Sequence, residues 1–124
     1  MPTATQHIAQ AAHNEAVSLA VEADYADWAV TALFYAALHY VEAYFYVHAA
    51  RQHAPPHYTN HSLRGPAVRI RIPRMYKHYQ RLFDRSIQAR YDCVAFAQSN
   101  VQHLRQNDLE PLKRYIQQNI PAAL

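Results

Sequence analysis

Nine histidines and twelve Lys or Arg residues in a chain of 124 supply the two side-chain types that move protons and hold phosphate charge. Several gather in one segment that carries His53, His57, Tyr58, Asn60, His61 and Arg64. One imidazole there can take the proton of a ribose 2′-hydroxyl. Another can protonate the leaving oxygen, while arginine holds the phosphate. His57, His61 and Arg64 are therefore the first candidate catalytic set. A second constellation lies in an apolar stretch, where Thr31, Tyr35, His39 and Glu42 are spaced by four, four and three. That spacing puts them on one helix face. Buried without partners, such groups cost roughly 1–3 kcal/mol each. Two readings stand: a satisfied polar seam that fixes helix register, or a cleft in which Glu42 tunes His39 as an acid–base group.

Metal and cofactor sites are not expected. His48, His53, His57 and His61 offer imidazoles, but no Cys partner or His-x-His pair supports the spacing of a zinc site. A single glycine excludes phosphate-cradling loops and dinucleotide fingerprints. Cys93 reads as a small buried hydrophobe. Being alone, it forms no disulfide within the chain and points to a reducing, cytoplasmic setting.

Charge is spread unevenly. Met1 to Ala50 contains no Lys or Arg and carries −5, whereas the remainder carries +8, which gives the net +3. Arg64, Arg69, Arg71, Arg74, Lys77, Arg81, Arg85 and Arg90 are opposed by Asp84 alone in the densest stretch. Arg69, Arg74, Lys77, Arg81 and Arg85 are the candidate nucleic-acid contacts, because such a surface suits a polyanion, RNA above all. The competing readings are a solvated helix face and contacts to the acidic first half.

The elements that must position these groups all read as helix, in one domain over residues 1–124. Ile8, Ala12, Ala16, Leu19 and Ala23 give a first helix its period, over about Thr5–Ala26. Asp24 or Asp27 is the expected cap of a second, from Trp28 to about His53. That helix is apolar nearly all round, so it is central. Its aromatic end (Tyr40, Tyr44, Phe45, Tyr46) calls for a lid, and a homodimer is expected to supply one. It also holds Glu42 and His39, so it is not read as a membrane span. Pro55-Pro56 ends it, and no secretory signal is visible. Ser62 is the expected cap of a short helix to about Ile70, and Pro73 opens the next, from about Arg74 to Asp92. Met75, Tyr76, Tyr79, Leu82, Phe83 and Ile87 form its apolar side, with Arg74, Lys77, Arg81 and Arg85 opposite. The last stretch, Ser99 to Ile120, is expected to kink or split at Pro111 with Asp108 as a cap. Four main helices with short connections make a bundle.

The run Asp27-Trp28-Ala29 through Phe34-Tyr35-Ala36-Ala37-Leu38-His39-Tyr40-Val41-Glu42-Ala43 resembles the second helix of HEPN-domain proteins. The segments beyond it are also similar: a loop with His61-x-x-Arg64, then a helix with Tyr79, Leu82 and Ser86 ending in Ala89-Arg90-Tyr91. The resemblance covers about Ala12 to Ile120. It implies an all-α, up-and-down four- to five-helix bundle and a homodimer. Many members are metal-independent ribonucleases of toxin–antitoxin, CRISPR and other defence systems. Others are inactive and bind nucleotides, nucleotidyltransferase partners encoded nearby, or RNA. Active members carry Arg, four to six residues, then His near the start of a late helix. Here two pairs fit that spacing, Arg51 and His57 with five residues between them and Arg71 and His78 with six, but the first straddles Pro55-Pro56 and the second Pro73; the final helix, where the motif is expected, has Asn100-x-x-His103 with no Arg before it at that spacing. The resulting expectation is a HEPN-like RNA-binding protein, with metal-independent cleavage of that RNA as an open question of its activity. The alternatives are a non-catalytic interaction module and a sensor of a nucleotide or other small molecule.

Overall fold

A computed structural model of the chain describes residues 1–121; the last three residues of the expected domain lie outside them. The chain is an all-α bundle, with no strand among the described residues. Helices α1 (Ala4–Val21), α2 (Ala26–Gln52), α3 (His61–Arg71), α4 (Tyr76–Tyr91), α5 (Gln98–Leu104) and α6 (Glu110–Gln118) succeed one another along the chain. Pro73–Met75 forms a 3₁₀ turn before α4, and Arg105–Leu109 a π-helical turn between α5 and α6. The last two helices and that turn make one interrupted helix.

The all-round apolar character of α2 has the expected consequence. It lies at the centre and packs on α1, α4, α5 and α6. Val30, Leu33, Ala37, Val41 and Phe45 are fully buried along it. Its aromatic end, however, is covered by its own chain. Tyr40 donates to Glu15 on α1, Phe45 lies edge-on to Tyr58 under the Arg71 guanidinium, and Tyr44 packs on His48. Only Tyr46 of the four is exposed, at 37 %. The expectation that this end needs a partner's lid is corrected: the α2–α3 loop and α3 fold back over it. Larger apolar exposure sits at the other end, at Tyr25 and Trp28.

Helix ends differ most from the sequence reading. Thr3 caps α1 in a reciprocal box with Gln6. Neither Asp24 nor Asp27 caps α2. Its N-cap is Tyr25, which makes no side-chain capping bond. Its C-cap is His53, whose left-handed backbone (φ 51°) turns the chain and bonds back to Ala49 and Ala50 before the two prolines are reached. Asn60 rather than Ser62 caps α3: Asn60 Oδ1 accepts from the Leu63 amide, and the Ser62 hydroxyl donates to Asn60. Pro66 sits inside α3.

Gly65 relieves crowding rather than supplying an unusual backbone. A Cβ there would stand 3.2 Å from the His61 ring one turn earlier. Cys93 is exposed, not a buried hydrophobe. It adopts a left-handed conformation (φ 55°) just past the end of α4.

The anticipated break near Pro111 is a π turn. Proline offers no amide for the carbonyl four residues back and its ring crowds that carbonyl. The ladder widens instead, with the Glu110 amide bonding Arg105 five residues earlier. Asp108 does not cap the second piece. Its buried carboxylate accepts from His78 Nδ1 at 2.9 Å and from an Arg81 NH at 2.7 Å.

The charge asymmetry along the sequence becomes pairing in space. Three acids of the first half each meet a cation of the second: Glu15 with Lys113 at 3.2 Å, Glu22 with Arg105 at 3.1 Å and Glu42 with Arg64 at 2.7 Å. Part of the basic excess therefore serves the interior of the bundle.

Candidate functional site

Two places gather the chemistry-bearing residues: a cluster around Glu42 inside the bundle and a basic corner formed by α3 and α4.

Glu42 is fully buried in the middle of α2. A carboxylate there needs charge-assisted partners, and three residues of the α2–α3 loop and α3 supply them. Arg64, buried at the first turn of α3, donates its Nε to Oε1 at 2.7 Å and a terminal NH to the Tyr58 carbonyl at 2.6 Å. His57 Nδ1 lies 3.1 Å from Oε2, and the Tyr58 amide points at both oxygens from 3.4 Å. The α2–α3 loop is thus wrapped around one carboxylate.

Behind Oε2 stands His7, from α1, 3 % exposed. Its ring stacks towards that of His57, with centroids 6.3 Å apart. Its Nδ1 lies 3.0 Å from Nδ1 of His39. Burial, and then the neighbouring His39, His57 and Arg64, hold the His7 pKa down to about 4. Burial and Arg64 lower that of His39. Both rings are therefore biased towards the neutral form, which can accept a proton or ligate a metal.

The polar face proposed along α2 divides. Thr31 donates to the Asp27 carbonyl of its own helix. Tyr35 is exposed and its hydroxyl accepts from Arg90 of α4 at 2.7 Å. Only His39 and Glu42 enter the cluster, and they do so through different partners, His7 for one and His57 with Arg64 for the other.

Of the candidate catalytic residues, His57 and Arg64 are brought together on Glu42. His61 is separate: its ring stacks flat on Phe83 at 3.4 Å, with Nδ1 3.3 Å from the Tyr79 hydroxyl. Burial and Arg64 lower its pKa, while Asp84 opposes them. Burial pushes the Tyr79 phenol up to about 12. Arg71 and His78 make separate sets of contacts. Arg71 lies 4.3 Å over the Phe45 ring and donates to Gln52, the Pro55 carbonyl and Tyr58. His78 is held by Asp108. In α5, Asn100 caps its own helix through the Ala97 amide, and His103 meets Asn107.

The expected basic face also divides. Arg69, Arg74 and Lys77 are exposed, and no carboxylate among the described residues pairs with them. Arg69 lies 5.9 Å over Tyr76. With His61, Ile70 and Gln80 these two line a surface pocket of about 440 Å³. Arg81 departs from the expected solvated row, because its guanidinium reaches in to Asp108. Arg85 bonds Gln88 and, with Arg81, lines a second pocket of about 550 Å³ against α5.

His7 was not singled out by sequence reasoning. Its signal is nonetheless present: Ala4, His7, Ala11, Glu15, Ser18 and Glu22 fall at steps of three and four. That is the inward stripe of α1, and a polar residue on it must find an interior partner. His7 meets His39, Glu15 meets Tyr40, and Ser18 and Glu22 both receive Arg105. No helix among the described residues is long and apolar enough to cross a membrane. Comparison of the chain with protein-family models, with curated proteins and with solved structures returns no match.

Proposed function

We propose that this chain is a HEPN-like protein that binds RNA through the corner where α3 meets α4. One observation carries the reading: Arg69, Arg74 and Lys77 stand exposed and unpaired beside the aromatic Tyr76. Unpaired cations release condensed counterions from a nucleic-acid backbone, and an adjacent ring offers a surface for a base. The other arginines of the same stretch have intramolecular tasks. The test is binding of a labelled RNA by the wild type and by the triple variant Arg69→Glu/Arg74→Glu/Lys77→Glu. Affinity is expected to fall at least tenfold with the far-UV spectrum unchanged. Unchanged affinity overturns the assignment.

A second reading, metal-independent cleavage of that RNA, is favoured by His61. It shares the pocket with Arg69, and its lowered pKa leaves a neutral imidazole suited to act as a base. His61→Ala is then expected to slow cleavage in EDTA by roughly 10²–10⁴-fold with RNA affinity kept. A homodimer belongs to the same proposal, supported by the exposed Tyr25, Trp28 and Tyr91. Light scattering at micromolar concentration tests it, and a monomer mass refutes it.

A further inference from the structure

We propose that His7, Glu42 and His57 form a binding site for one first-row divalent metal ion, with Zn²⁺ as its natural fit. Each residue offers one ligating atom, and the three atoms lie within 4.8 Å of one another. In a tetrahedral site with bonds of about 2.0–2.1 Å, ligand atoms stand about 3.3 Å apart. His57 Nδ1 and Glu42 Oε2 are already 3.1 Å apart. Binding requires side-chain rotation to draw His7 in from within 4.8 Å of the other two. Two imidazoles and one carboxylate are a ligand set that zinc takes with its fourth position open.

The second observation is a buried atom with nothing to do. Nε2 of His7 is inaccessible to solvent and has no hydrogen-bond partner. The 3.0 Å contact between Nδ1 of His7 and Nδ1 of His39 requires a proton on one of them. If His39 supplies it, His7 carries its own proton on Nε2 as a buried donor without an acceptor. If His7 supplies it, Nε2 presents a lone pair towards Glu42 and His57 with no donor. Either state leaves a group unsatisfied, at a cost of roughly 1–3 kcal/mol. A cation at the centre of the triad removes that cost in the second state. His39 then acts as the outer partner that fixes the tautomer of a ligating histidine.

His7 also lines a cleft of about 790 Å³ on the α1 side, together with Gln6, Gln10, His13 and His39, but Glu42 and His57 do not border it. The exposed way in lies past His57, whose side chain is 32 % exposed on the α2–α3 loop. Arg64 holds Oε1 of Glu42 and leaves Oε2 for the ion. Its positive charge opposes the metal, so the site is weaker than one built on a free carboxylate. The cluster joins α1, α2 and the α2–α3 loop, so a bound ion would also pin the loop that leads into α3.

The experiment is titration of untagged, chelator-stripped protein with Co²⁺, followed by visible absorption, and with Zn²⁺ in competition. One equivalent per chain is expected, with a cobalt spectrum that Zn²⁺ displaces. His7→Asn and His57→Asn are each expected to weaken binding more than about 100-fold, beyond the roughly 10–100-fold effect of losing an outer-sphere partner. His13→Ala, on the cleft wall, leaves it unchanged. Circular dichroism checks that the variants fold. His57, on a loop with its side chain 32 % exposed, keeps the test decisive if His7→Asn does not fold. Substoichiometric binding, or binding that survives the substitution at His57, overturns the proposal.

Discussion

The inner and outer faces of α3 use the same residue type for opposite purposes. Arg64, Val68 and Arg71, at steps of four and three, face the bundle. There Arg64 neutralises Glu42 and Arg71 clamps the loop over Phe45. Arg69, one residue beyond Val68, points out over Tyr76 with no acid. Charge counted along a sequence therefore overstates the charge available to a partner. Four of the twelve basic residues, Arg64, Arg81, Arg105 and Lys113, are matched to carboxylates that the sequence places far away. The exposed cations of the α3–α4 corner have no such partner and stay available to a ligand.

Removing one cation from each face tests this division most severely. Arg64→Ala strands a fully buried carboxylate and is expected to cost roughly 3–5 kcal/mol. Arg69→Ala, at an exposed position, is expected to stay within about 0.5 kcal/mol of the wild type. Urea unfolding of both variants is the check, and equal effects would show that the two faces do not differ.

A somewhat smaller effect is expected from pH. The folded pKa of His7 is about 4, below its ordinary 6.5, so the unfolded chain binds the extra proton. Stability is therefore full above about pH 6.5 and falls as the pH drops through about 4. The loss attributable to His7 is roughly 3 kcal/mol. His39 and His61, also lowered, add in the same direction. Denaturant midpoints should fall more steeply with acid in the wild type than in His7→Asn. Parallel curves would mean that His7 is not held neutral in the interior.

The smallest effect concerns a helix end. Cys93 holds a left-handed backbone at an exposed site, a conformation glycine adopts without a Cβ penalty. Cys93→Gly is expected to stabilise the chain by about 0.5–1 kcal/mol in thermal unfolding. A loss would show that the thiol makes contacts that matter.

Much of the architecture was legible because it rests on apolar periodicity. The central position of α2, a helix opening near Pro73 and the loop after Pro55-Pro56 all stem from which residues can be solvated and which backbones can continue; that the opening is a 3₁₀ turn with α4 starting at Tyr76 was not legible. Helix ends were less legible. Asp24 and Asp27 have the right chemistry for a cap, but α2 starts at Ala26 between them, and Asn60, two residues before Ser62, takes the capping position of α3. The interior polar cluster was half legible. Glu42 stood out because its neighbours on α2 are apolar. His7 did not, because the period read in α1 runs through Ala12, Ala16 and Leu19, which are exposed, whereas the buried stripe runs through Ala4, His7, Ala11 and Ser18, and the partners of His7 lie 32 and more residues away. Arg81 and Asp108 escaped for the same reason: their pairing spans 27 residues and depends on the π turn that carries Asp108 inward.

If the unpaired cations of the α3–α4 corner, and not the paired ones inside, are the RNA contact, salt must reveal it. The most direct measurement is the salt dependence of RNA affinity for the wild type and for Arg69→Glu/Arg74→Glu/Lys77→Glu, with thermal midpoints recorded alongside. Each lost phosphate contact on a single strand flattens the slope of log K against log salt by roughly 0.7. Loss of all three is expected to flatten the slope by about 2, with weaker binding at every salt concentration and an unchanged midpoint. An unchanged slope with full affinity would contradict the assignment of this corner to RNA.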